Sequence, residues 1–132
     1  MKTRMSIVVC LLSILAVVSA YGQTTRVLGR INVQQKFMVN EKEMPAGKYE
    51  FVKPAAGPNH LMLRNRDTGK SVQLDVVERL AHTGSPDAPG RVVFNSIGDQ
   101  KLLSEFWASG DEDGYLLQVT KKEHKHETLK VE

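Results

Sequence analysis

The stretch Arg91–Ala108, RVVFNSIGDQKLLSEFWA, decides the fold class. It reads as strand, tight turn, strand. Arg91 to Ile97 is rich in Val, Ile and Phe, which suit a pleated, half-buried surface. Leu102 to Ala108 is a second apolar run. Between them, Gly98-Asp99-Gln100-Lys101 supplies turn chemistry, because Gly tolerates positive φ and Asp can hydrogen-bond nearby backbone. Strict alternation sets Val92, Phe94 and Ser96 against Val93, Asn95 and Ile97. On the return strand it sets Leu103, Glu105 and Trp107 against Leu102, Ser104 and Phe106. Neither strand has a clean polar side, so this hairpin is expected at the centre of the core. Burying one of its aromatic rings is worth about 1.5–3 kcal/mol.

Outward from the hairpin, strand-like runs recur about every ten residues with turns between them. Arg26 to Val39 alternates loosely, with Val27, Ile31, Val33, Phe37 and Val39 on one face, and reads as one long strand bent near Gly29. Asn40 to Glu43 is a charged connection and Met44-Pro45-Ala46-Gly47 a turn. Lys48 to Lys53 sets Tyr49 and Phe51 against Glu50 and Val52. His60–Asn65 and Ser71–Val77 flank the turn Arg66-Asp67-Thr68-Gly69-Lys70 and form a second hairpin. Glu78 to His82 reads as a strand end or one turn of helix, and the Gly- and Pro-containing stretch to Gly90 as a loop. Tyr115 to Thr120 is a further strand. Lys121 to Glu132 is so charged that a frayed or briefly helical tail is expected.

This pattern predicts an antiparallel all-β domain of about 7–8 strands. An up-and-down or partly open barrel, which leaves few exposed edges, is favoured; a β-sandwich is the alternative.

Residues 1–20 carry the three parts of a secretory signal. Lys2 and Arg4 give a positive start, Ser6 to Val18 is apolar, and Val18-Ser19-Ala20 offers small residues. Cleavage is expected near residues 20–22, leaving residues 21–132 as one β domain with a charged tail from about residue 121. The apolar run is shorter than the about 20 residues a membrane span needs. Losing Lys2 and Arg4 takes the 18 basic residues to 16 against 15 acidic ones, a net charge of +1. That balance gives no electrostatic basis for binding nucleic acid. The single cysteine, Cys10, leaves with the signal. A processed chain would then have no cysteine nucleophile, no thiolate metal site and no disulfide. The expected location is secreted or periplasmic.

The order of motifs resembles a group of small secreted acidobacterial proteins with no established activity. The resemblance rests on Phe37-Met38-Val39, on Met44-Pro45-Ala46-Gly47-Lys48-Tyr49, and on the hairpin from Val93-Phe94 through Gly98-Asp99 to Leu103–Trp107. It covers most of residues 33–127. The shared positions are turn and core residues, so the resemblance implies a bacterial, exported β-rich fold and no chemistry. Those proteins often carry His and aromatic residues around the central turn, where this chain has Asn95, Ile97 and Lys101.

Few residues point to chemistry. His124-Lys125-His126 sets two imidazoles on one side of a strand, with Glu123 and Glu127 beside them, a pattern that could hold zinc or copper. A solvated tail explains the same residues. Asp111-Glu112-Asp113-Gly114 resembles part of a calcium loop but lacks its closing Glu. No nucleophile elbow, spaced triad or Gly-rich phosphate loop is present, so no catalytic residue and no cofactor is expected. Glu105 stands between Leu103 and Trp107, either as a ligand-facing acid of raised pKa or as a rim carboxylate paired with Arg91.

Two functions fit these features. One is a non-enzymatic envelope interaction or structural protein with a filled interior. The other is a barrel binding a small hydrophobic ligand, lined by Tyr49, Phe51, Leu103, Glu105 and Trp107. Aromatic residues are few, which favours the filled interior. Trp107→Ala is expected to cost about 3–5 kcal/mol if that ring belongs to the core.

Overall fold

The computed structural model describes residues 25–54, 60–81, 89–110 and 113–132. The expected signal peptide and cleavage point, Cys10, His82 and Asp111-Glu112 lie outside the described residues. The described residues form eleven strands and no helix. In chain order these are β1 (Thr25–Val33), β2 (Phe37–Val39), β3 (Lys42–Met44), β4 (Gly47–Pro54), β5 (His60–Asn65) and β6 (Ser71–Asp75). They continue with β7 (Glu78–Ala81), β8 (Arg91–Ile97), β9 (Gln100–Trp107), β10 (Asp113–Leu116) and β11 (Lys125–Lys130).

Two sheets pack on one core. The first has strand order β1-β4-β5-β6, and the second β11-β8-β9-β10-β7. The small β2–β3 hairpin joins the second through one parallel bridge, Met38 to Leu102. All other pairings are antiparallel. The sheets do not close into a barrel, so the architecture is sandwich-like. At one corner a backbone hydrogen bond links them, where Glu132 N–H donates to the Arg30 carbonyl at 2.9 Å; Val77 N–H donates to the Leu116 carbonyl at 2.8 Å beside the β7–β10 ladder.

The central hairpin forms as its sequence requires. Gly98 and Asp99 make a two-residue turn, with Ile97 paired to Gln100 and Gly98 at φ 56°. Positive φ at Gly98 but not at Asp99 is the type II′ arrangement, whose twist matches the flanking strands.

Several elements differ from expectation for identifiable reasons. The single strand expected over Arg26–Val39 is two strands. The bend near Gly29 is a bulge between Val27 and Gly29, which puts Val27 at 39% exposure while Ile31 and Val33 stay buried. A Cβ at Gly29 would stand 2.6 Å from Val131 and 3.4 Å from the Phe106 ring. Close approach of the C-terminal segment therefore requires glycine there. Lys42–Met44, read as the end of a connection and the start of a turn, pairs with β2. Glu78–Ala81 is a strand of the second sheet, so the chain changes sheets at Val76-Val77.

The largest correction concerns the charged tail. Lys125–Lys130 is neither frayed nor helical but pairs with β8 along six residues. Its charges are those of an edge strand, where they discourage pairing with other chains. Leu129 packs on the core, Val131 is buried, and Lys101 Nζ lies 2.9 Å from a Glu127 carboxylate oxygen.

Two aromatic chains stitch the sheets together. Phe37 meets Tyr49 edge-on at 5.1 Å and Phe94 at 5.6 Å. Phe51 of the first sheet stacks on Phe106 of the second at 3.9 Å, and Phe106 lies 6.1 Å from Tyr115. Such pairs add about 0.5–1.5 kcal/mol beyond the area they bury.

Candidate functional site

The five residues named as a ligand lining do not share a surface. Tyr49, Phe51 and Leu103 are 0–2% exposed and lie in the hydrophobic core. Glu105 and Trp107 belong to the opposite face of β9. The cause is a bulge in the β8–β9 ladder, where Val93 pairs with Glu105 but Phe94 pairs with Leu103. Ser104 is the extra residue. Its carbonyl accepts from Leu117 N–H at 2.7 Å, and its hydroxyl donates to the Gln118 carbonyl at 3.3 Å. One inserted residue reverses the alternation, so Leu103 and Phe106 both face inward.

On the outer face, Trp107 is 8% exposed yet outside the core cluster. The Arg91 guanidinium lies 4.5 Å from its ring centroid, a cation–π contact. Gly114 pairs with Trp107, and a Cβ there would come within 2.5 Å of the indole. The ring thus lies over glycine backbone. Glu105 is half-buried between Val93 and Leu116 on the neighbouring strands. Arg91, its proposed partner, faces the Trp107 ring.

Tyr49 is tied to the turn that precedes its own strand. Its hydroxyl donates to the Pro45 carbonyl at 2.6 Å. Burial pushes its phenol above the ordinary tyrosine value, and a hydrogen bond with Asn65 pulls partly the other way.

Sequence reading missed a charge row on the first sheet. Glu50 is 7% exposed and stands between Arg30 and Arg64 on neighbouring strands. Arg64 Nε donates to Glu50 Oε1 at 2.7 Å, and Arg30 Nε lies 3.6 Å from Oε2. The signal was present as a charge on each of β1, β4 and β5, but it becomes a row only once register is known. Both arginines are substantially exposed, so the row contributes specificity of register more than stability.

His124 and His126 do come together. Their ring centroids are 4.8 Å apart and the planes are nearly perpendicular, at 89°. His124 Nδ1 lies 2.6 Å from the Lys122 carbonyl, and His126 Nδ1 lies 3.0 Å from Asn95 Oδ1. Asn95 is 3% exposed, and its Nδ2 donates to Thr120 Oγ1 at 3.0 Å. A surface cleft of about 380 Å³ lies beside them, lined by Ser96, Ile97, Gly98, Glu123, His124 and Lys125. Among the described residues, no group of three or more His, Cys, Asp or Glu side chains is placed to hold a metal ion. Glu127 is directed to Lys101 instead.

Comparison with protein-family models, with curated proteins and with solved structures found no match. Among the described residues no helix is long and apolar enough to cross a membrane.

Proposed function

We propose that this chain is an exported, non-enzymatic β-sandwich that works through its surface, as an interaction or structural protein of the bacterial envelope. The carrying observation is the filled interior. Side chains that would have lined an internal hydrophobic site, Tyr49, Phe51 and Leu103, are packed against Phe37, Phe94 and Phe106. Export rests on the signal-like residues 1–20, and affiliation with small secreted acidobacterial proteins rests on the turn and hairpin motifs. Edge strand β11, with Lys125, Glu127 and Lys130, supports a soluble life among other proteins.

Native mass spectrometry of the protein isolated from its own cell envelope tests this reading. The expected result is a chain lacking residues 1–20 to 1–22 with no organic molecule at fixed stoichiometry, and cross-links to envelope proteins. A non-covalent organic mass retained at one per chain would overturn it in favour of ligand binding.

A further inference from the structure

We propose that His124 and His126 form an open two-imidazole site for a divalent, nitrogen-preferring metal ion, with copper(II) bound best. The site is independent of the envelope role.

Both Nδ1 atoms face carbonyl oxygens, of Lys122 at 2.6 Å and of Asn95 at 3.0 Å. A carbonyl oxygen only accepts, so each Nδ1 carries the proton. In a neutral ring the lone pair then sits on Nε2, the atom left to bind metal. Metal-ligating histidines are commonly oriented this way, their second nitrogen donating to a carbonyl or carboxylate. Asn95 is the positioning residue for His126. It is buried, its amide nitrogen donates to Thr120 Oγ1, and its carbonyl oxygen faces the imidazole.

The spacing fits. The ring centroids are 4.8 Å apart, inside the about 6.4 Å that two rings joined through metal–Nε2 bonds of about 2.0–2.1 Å can span. Because no third His, Cys, Asp or Glu among the described residues converges there, solvent or an outside ligand completes the coordination. The Irving–Williams order then ranks copper(II) above zinc.

The test uses the processed protein, purified without a polyhistidine tag and stripped with chelator, titrated with Cu2+ by calorimetry and by electron paramagnetic resonance. The expected result is one ion per chain with two equatorial imidazole nitrogens. His124→Ala and His126→Ala should each weaken binding about tenfold or more. Long-range proton–nitrogen NMR of the metal-free protein should show both rings protonated at Nδ1. Binding weaker than about 1 mM, binding that survives both substitutions together, or rings protonated at Nε2 would overturn the proposal. Simple edge-to-face packing of two strand histidines would give those results.

Discussion

Phe106 and Trp107 are neighbours in sequence and occupy opposite worlds. Phe106 is fully buried, stacked between Phe51 and Tyr115 from both sheets. Trp107 lies on the outer face, its ring over Gly114 and under Arg91. Inside, each ring is held by apolar contacts from every direction, and truncation leaves a hole that the sheets cannot fill. Outside, a ring covers backbone and is itself covered by a charged side chain that can follow it. Similar burial on the two faces of one strand thus carries different energies, because the surroundings differ in their ability to relax.

Phe106→Ala should break the inner face and cost about 3–5 kcal/mol in chemical denaturation. Trp107→Ala should cost less, about 2 kcal/mol, through lost burial and the lost cation–π contact. Equal losses at the two positions would erase the distinction between the faces. Gly114→Ala should cost about 1–3 kcal/mol, because its methyl would overlap the indole. In the Trp107→Ala background that cost should largely vanish, and a double-mutant cycle reads the coupling. Additive effects would mean that the ring does not sit on Gly114.

Tyr49→Phe should be the mildest change, about 1 kcal/mol for the lost hydrogen bond to Pro45. Its pH dependence is more telling. The folded state holds the phenolic proton more tightly than the unfolded state does. The resulting stability is present below the ordinary tyrosine value of 10.0 and is lost as pH rises through the folded-state value. Denaturation midpoints should fall as pH rises past about 10, and Tyr49→Phe should flatten that fall. An unchanged slope would place the titrating group elsewhere.

The sequence made the strands of the first sheet and the central hairpin legible, because Lys48–Lys53, His60–Asn65 and Arg91–Ile97 alternate between marked turns. It favoured a barrel where the sheets form a sandwich, since closure depends on which edges meet and not on any strand's own pattern. The candidate lining failed at one residue. Ser104 looks like any polar position in an alternating strand, and only the ladder shows it as a bulge that separates Leu103 from Glu105 and Trp107. The β11 segment was hidden because charge on an edge strand reads like charge on a tail. The two histidines were visible as a spacing, but Asn95, thirty-one residues from His126, became visible only through register.

The corner where Glu132 bonds to Arg30 bears on how the molecule is born. These residues are about 100 positions apart, and strand pairings of such long range form slowly. At synthesis speeds of about 5–20 residues per second, β1 emerges several seconds before β11 exists to complete its corner. During that interval the chain lacks an edge and a lid for Gly29 and Phe106.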